Sequence, residues 1–163
     1  MYAGFMITPE GPKLIEYNIR FGDPDSQVVL LRMTSDLADL LAAAAHGDLR
    51  TAPTPTFAAD TTAVLVVAAS EGYPVAPRTG DVIEGLEAAR AVDGVTVLSA
   101  GVRADAHGHL VTAGGRVLDV VGSGPDVATA RARAYGAIGQ LEWPGIHHRT
   151  DIAAGPEPGF GRS

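Results

Sequence analysis

The feature that most limits the fold is an alternation of apolar and polar residues at 13–21, near the start of the chain. Residues 2–8 also favour a strand, and the tetrapeptide Pro-Glu-Gly-Pro at 9–12 separates the two segments. Because proline fixes φ and glycine adopts angles closed to other residues, the tetrapeptide predicts a turn. Two strands joined by such a turn predict a β-hairpin. We interpret a chain that opens directly in a strand as one cut from a larger domain.

The second predicted strand carries the residues most able to do chemistry. Alternate side chains of a strand share a face, so Glu16, Asn18 and Arg20 fall in one row, about 7 Å apart. The other face is the predicted core face and holds Ile15, Tyr17, Ile19 and Phe21. Carboxylate and amide oxygens suit Mg²⁺, and a guanidinium can bind a carboxylate or phosphate through two hydrogen bonds. A strand whose polar face meets only water gives the same alternation, so the pattern alone leaves both interpretations open.

Two helices are predicted after the hairpin. Asp25 or Ser26 can cap a helix that begins near Gln27. A second cap within residues 34–36 predicts a helix that runs to about His46.

The second half of the chain predicts a small, mainly antiparallel sheet with one packed helix. The proline- and threonine-rich residues 48–60 predict an exposed connection. The predicted strands are Ala63–Ala69, Val95–Ala100, Leu110–Thr112 and Arg116–Val121, and an alanine-rich helix is predicted over 125–141. Short strands with few helices favour an α+β fold.

Three local features have structural interpretations. Gly114-Gly115 predicts a tight hairpin turn between two strands. Trp143 is expected to anchor the last segment, and Arg149 and Asp151 are expected to pair with the main body of the chain.

Composition excludes some partners. The chain has 163 residues, no cysteine, a net charge of −7 and a pI near 5.0. Nucleic-acid binding needs a basic face, so we expect no nucleic-acid partner. The apolar runs are too short to span a bilayer, so we expect no membrane partner. Of the 12 basic residues only Lys13 is a lysine. Sites for nucleotide phosphates often use lysine. If the chain binds such phosphates, we therefore expect part of the site to lie outside it.

The segment Glu16-x-Asn18-x-Arg20-Phe-Gly-Asp23-Pro-Asp25-x-Gln resembles the signature of the phosphoribosylamine–glycine ligase family, members of the ATP-grasp superfamily. Asp25 stands where the family usually has glutamate, which shortens that side chain by one methylene. Further matches run in order to about residue 153, among them Ser-Glu-Gly-Tyr-Pro at 70–74, Gly-Gly-Arg-Val-Leu at 114–118 and His-Arg-Thr-Asp-Ile at 148–152.

The resemblance implies a division into three parts. Residues 1–50 would be the C-terminal end of an ATP-grasp domain, formed by a strand hairpin plus helices. Residues 51–153 would be the C-terminal domain of the ligase, and 154–163 a flexible tail.

The resemblance also implies a reaction. The family joins glycine to 5-phosphoribosylamine with ATP, in the second step of purine synthesis, through a glycyl phosphate. Glu16 and Asn18 match the family's Mg²⁺ or Mn²⁺ ligands, and Arg20 matches a catalytic position near the glycine carboxylate or transferred phosphate. Asp23 is expected to hold the turn, with substrate binding as a second role. The implied partners are ATP, glycine and 5-phosphoribosylamine, and the implied location is cytoplasmic.

Because family members are much longer, the chain is expected to be inactive alone. Two alternatives remain open: a stand-alone, non-catalytic binding module with an inherited fold, and part of another ATP-grasp enzyme such as a biotin-dependent carboxylase subunit. The Gly-Asp-Pro turn at 22–24, which follows the Glu-x-Asn-x-Arg segment, favours the ligase over the second alternative.

Overall fold

A computed structural model describes residues 2–155 of the chain. In chain order the elements are β1 (Tyr2–Thr8), β2 (Gly11–Asn18), α1 (Asp25–Leu31), α2 (Leu37–Ala45), a 3₁₀ turn (Leu49–Thr51), β3 (Thr62–Ala69), α3 (Leu86–Arg90), β4 (Val95–Ser99), β5 (Val102–Ala104), β6 (Leu110–Thr112), β7 (Arg116–Gly124) and α4 (Val127–Ile138). The strands pair antiparallel throughout, which confirms the α+β prediction. Most of the expected tail, residues 156–163, lies outside the described residues. Within 2–155, no helix has the length and apolar character to cross a bilayer.

The main core lies under the three-stranded sheet in the second half of the chain. Its order is β3-β7-β4, and α4 packs across β7 and β3. Val117 and Val120 on the central strand have no exposed surface. Sheet and helix approach closely at Gly122, where an added Cβ would lie 2.2 Å from the carbonyl oxygen of Ala130. The helix backbone therefore rests directly on the sheet.

The helix α4 is shorter than the predicted 125–141. Asp126 is its N-cap, and the Asp126 carboxylate accepts the backbone N–H of Thr129 at 2.7 Å. Pro125 therefore precedes the helix. The segment that follows carries Trp143, which is 3% exposed, so the prediction that this residue anchors the last segment is correct. The short helix α3 was not predicted, because five residues give too weak a periodic signal.

Two local predictions in this half are wrong. Gly114-Gly115 does not join paired strands, since β6 pairs with β5 while β7 pairs with β3 and β4. The loop instead passes under Tyr73, whose Cδ2 would lie 2.2 Å from a Cβ at Gly115. Arg149 and Asp151 form an ion pair with each other at 2.5 Å, across a bend at Thr150.

The predicted hairpin is present, but its second strand ends earlier than expected. Tyr2, the first described residue of β1, pairs with Asn18. Residues 19–21 therefore have no strand partner in the described part of the chain, and Arg20 lies in a bend. A register shift after Gly4 also leaves Ile15 as an extra residue in β2, which is a β-bulge.

The predicted core face of the hairpin is wrong in this chain. Ile15 is 63% exposed, Ile19 98% and Phe21 56%. β1 and β2 form a two-stranded sheet of their own. These three side chains are therefore more than half exposed, although their sequence pattern is that of a buried face.

The helices α1 and α2 follow the hairpin. α1 begins at Asp25, two residues before the predicted start, and its N-cap Pro24 makes no side-chain capping bond. The expected cap at Asp25 or Ser26 is therefore wrong, since both lie inside the first turn. The predicted cap of α2 is correct, because Asp36 accepts the N–H of Ala38 at 2.7 Å.

The connection after α2 partly folds back. Phe57 pairs with Met33, and the N–H of Ala58 donates to the carbonyl oxygen of Arg32 at 2.8 Å. The segment up to Ala58 is thus bonded to the residues that directly follow α1. The division between residues 50 and 51 stays a proposal.

Candidate functional site

The structure brings Glu16 and Asn18 together at the end of β2. Asn18 Nδ2 donates to Glu16 Oε1 at 2.9 Å. Glu16 is exposed and Asn18 is half-buried. Gly4 lies opposite Glu16, and a Cβ at Gly4 would be 3.5 Å from Glu16 Cγ. Each side chain has an oxygen outside this hydrogen bond, so the pair offers two hard ligands on one surface.

Arg20 is not in line with this pair. It lies in the bend beyond the strand, and its Nη1 donates to the carbonyl oxygen of the next residue, Phe21, at 2.7 Å. The guanidinium is exposed. The expected row of three polar side chains is therefore a pair followed by a separate cation.

Asp23 is bound by Arg116, which lies 93 residues later in the sequence. Arg116 Nη2 donates to Asp23 Oδ2 at 2.8 Å, and Arg116 Nη1 donates to the Asp23 backbone oxygen at 2.9 Å. Gln27 Nε2 donates to the other carboxylate oxygen of Asp23 at 2.9 Å. Both carboxylate oxygens and the carbonyl are thus occupied by protein donors, which fixes the turn.

Asp119 extends this network into the sheet. It is 3% exposed on β7 and accepts Gln27 Nε2 at 3.1 Å through Oδ2. Its other oxygen is buried without a protein donor. Burial raises the pKa of Asp119 and the nearby charge of Asp23 raises it further, while Arg116 and Gln27 oppose the increase. Here α1 packs against β3, so the network joins the first part of the chain to the sheet.

Sequence reasoning missed three members of this network: Gln27, Arg116 and Asp119. Gln27 and Arg116 lie inside motifs that carry the family resemblance, but the sequence does not indicate that they meet. Asp119 has a signal that could have been used, because it is the one acid within the apolar run 117–121 and a buried acid usually has a specific partner.

A cavity of about 290 Å³ opens beside the network. Its lining includes Pro24, Tyr73, Arg116, His147 and Arg149. Arginine and histidine donors around a partly apolar floor suit a small polar molecule that carries negative charge.

Oxygen ligands for a metal ion and a nearby arginine are among the parts that phosphoryl transfer uses. Two family profiles match: "Phosphoribosylglycinamide synthetase, ATP-grasp (A) domain" over residues 1–26, and "Phosphoribosylglycinamide synthetase, C domain" over residues 63–155. The chain belongs to the phosphoribosylglycinamide synthetase family, also called the phosphoribosylamine–glycine ligases.

Curated relatives carry the same family name. A phosphoribosylamine–glycine ligase of Streptomyces coelicolor is 50% identical over 156 residues, which are 94% of this chain and 37% of the relative. One of Caulobacter vibrioides is 47% identical over 152 residues, covering 93% of this chain and 35% of the relative. The crystal structure of the Thermotoga maritima phosphoribosylamine–glycine ligase matches with a TM-score of 0.73 at 31% identity, over 92% of this chain and 36% of that one. The chain therefore spans about a third of the length of these relatives.

Proposed function

We propose that this chain forms the C-terminal portion of a ligase that joins glycine to 5-phosphoribosylamine with ATP. In that reaction a glycine carboxylate oxygen takes the terminal phosphoryl group of ATP and ADP leaves. The amine nitrogen of phosphoribosylamine then attacks the glycyl carbon, and phosphate leaves. The observation that carries the proposal is the Glu16–Asn18 pair, which stands in the family's motif with Arg20 next to it.

Glu16 and Asn18 are the residues proposed to hold Mg²⁺ or Mn²⁺. The donor set fits, since a carboxylate and an amide oxygen lie side by side on an accessible surface. Sites for Mg²⁺ at nucleotides usually take only one or two protein carboxylates, and phosphate and water fill the rest. The metal, when bound, would neutralise negative charge on the phosphate oxygens.

Arg20 is proposed as the catalytic and substrate-binding residue. Its exposed guanidinium can leave the Phe21 carbonyl and bind the glycine carboxylate or the transferred phosphoryl group. A fixed positive charge there stabilises the charge that develops during transfer. Asp23 is proposed to affect substrate binding through the turn that it holds and not by direct contact. Its oxygens are already bonded to Arg116 and Gln27.

The test is a reconstructed ligase in which this chain replaces the matched 37% of the Streptomyces coelicolor enzyme. We expect release of ADP that depends on both glycine and phosphoribosylamine. Glu16→Gln should lower kcat by roughly 100-fold or more, because a metal ligand is lost, and should raise the Mg²⁺ concentration needed for half-maximal rate. Glu10→Gln, in the exposed hairpin turn, is the matched control and should have no effect.

Two results would contradict the proposal. One is a folded reconstructed ligase whose rate and Mg²⁺ dependence are the same with Glu16→Gln as without it. The other is glycine-dependent ADP release by the 163-residue chain alone, since the proposal assigns this chain only part of the site.

A further inference from the structure

Asp23 accepts hydrogen bonds from two other residues at three of its oxygen atoms. Its carbonyl and one carboxylate oxygen bind Arg116, and its other carboxylate oxygen binds Gln27. Arg116 lies 93 residues further along the chain, at the first position of β7. Within residues 2–155, the side-chain hydrogen bonds that join 2–31 to β7 all involve Asp23 or Gln27.

The turn also contacts the hairpin. Gly22 is buried, and a Cβ there would lie 2.9 Å from Tyr2 Cδ2 and 2.7 Å from Asp25 Oδ2. Tyr2 is the residue that pairs with Asn18. The turn is therefore fitted against the end of the hairpin on one side and bonded to the central strand of the sheet on the other.

The contacts of this turn, with Tyr2 on one side and Arg116 on the other, set where the hairpin lies relative to the sheet. Because β1 and β2 form their own two-stranded sheet, no ladder of backbone hydrogen bonds joins them to β3, β4 or β7 within the described residues. Arg116 bonds a backbone atom as well as a carboxylate, so it fixes the main chain and not only a side chain. Only two residues lie between Arg20 and Asp23, so a shift of Asp23 moves Arg20 with it.

We propose that Arg116 and Gln27 are positioning residues of the ligase. They hold the turn at 22–25, and through it Arg20 and the Glu16–Asn18 pair, in a fixed position relative to the sheet. This inference rests on the proposed function, which assigns chemistry to Glu16, Asn18 and Arg20. Neither Arg116 nor Gln27 needs to touch the reacting atoms.

The reconstructed ligase tests this with a matched pair of arginines. Arg133 makes the same type of contact as Arg116, donating to the carbonyl oxygen of Ser123 at 2.6 Å and pairing with Asp93 at 2.5 Å. The two side chains are similarly exposed, at 35% and 31%. Arg133, however, lies on α4 and does not contact the turn. Arg116→Met and Arg133→Met therefore remove similar bonds from different places.

We expect Arg116→Met to lower kcat by roughly 10- to 100-fold, the effect of a displacement near 1 Å, with little change in KM for ATP. Arg116→Lys should give an intermediate kcat, since a single ammonium cannot reproduce the planar two-point contact. Arg133→Met should lower only the thermal midpoint. Equal kcat values for the two methionine variants, or an Arg116→Met effect on the thermal midpoint alone, would overturn the proposal.

A second measurement does not need activity. In the 163-residue chain, the N–H of Ser26 donates to the carbonyl oxygen of Gly22 at 3.0 Å and so reports on the turn. Arg116→Met should speed hydrogen exchange at this amide, and Arg133→Met should not. Equal exchange in both variants would contradict the positioning role, even if Arg116→Met proved too unstable for kinetics. Because Glu16→Gln tests the proposed function separately, an inactive Glu16→Gln with unchanged Arg116→Met would reject only this inference.

Discussion

The hairpin and the three-stranded sheet are built from similar apolar residues but use them differently. Val117 and Val120 of the sheet have no exposed surface, whereas Ile19 beside the hairpin is 98% exposed and Ile7 is 76% exposed. The sheet has α4 packed across it, while the hairpin is a single layer in the described residues. Burial of apolar area is the main source of stability, so the cooperative core of this chain lies in residues 62–143. The hairpin depends on the contacts made by the turn at 22–25, which follows it.

The largest effect should come from deleting a core side chain. Leu118→Ala removes a side chain that is 1% exposed and should lower the free energy of unfolding by about 2–5 kcal/mol. Ile19→Ala, at the exposed end of the hairpin, should change it by less than about 0.5 kcal/mol. Urea denaturation of both variants checks the contrast. Similar losses would show that Ile19 is covered in solution, and the comparison between the two regions would fail.

A smaller contrast is expected from adding one methyl group in each region. Gly122→Ala would place a Cβ 2.2 Å from the backbone of α4, while Gly4→Ala would meet its nearest atom at 3.5 Å. Since two backbones cannot separate without losing packing, Gly122→Ala should cost about 1–3 kcal/mol. Gly4→Ala should be close to neutral. If the melting temperatures are ordered the other way, the close contact of sheet and helix is wrong.

The smallest effect concerns the pH dependence of two acids. The pKa of Asp119 is raised by burial, so its contribution to stability is present below the unfolded value of about 3.9 and is lost as the pH rises through the folded pKa. Asp119→Asn removes that loss. The stability of this variant relative to the parent should therefore increase from pH 3 to pH 7.

Asp126 is the control of opposite sign. The backbone N–H of Thr129 lowers the pKa of Asp126, so this acid stabilises the fold above its unfolded pKa and less as the pH falls. The stability of Asp126→Asn relative to the parent should therefore decrease from pH 3 to pH 7. Chemical denaturation at several pH values measures both slopes, and slopes of the same sign would contradict the buried position of Asp119.

Elements with strong local signals could be predicted from the sequence. The apolar run of β3, the hairpin and the alanine-rich α4 each depend on the order of neighbouring residues, and the structure has all three. The Glu16–Asn18 pair was also predictable, because strand geometry alone places residues two apart on one face.

Several of the errors share one physical origin, which is dependence on distant residues. Nothing near Asp23 indicates that its partner is Arg116, since that contact depends on how the first part of the chain packs against the sheet. The exposed Ile15 and Ile19 carry a buried pattern, and whether a face is covered depends on other elements. Arg20 was placed in the strand because the alternation continues past Asn18, whereas the strand ends where its partner strand does.

The contact between Asp23 and Arg116 also has a consequence for biosynthesis. The two residues are 93 positions apart, so a ribosome adding about 5–20 residues per second makes the turn roughly 5 to 20 s before the arginine that holds it. During that interval Gln27 is available to the carboxylate of Asp23 and Arg116 is not. The turn would therefore reach its final geometry only after β7 has left the ribosome, and the proposed catalytic surface would be among the last parts of the chain to mature.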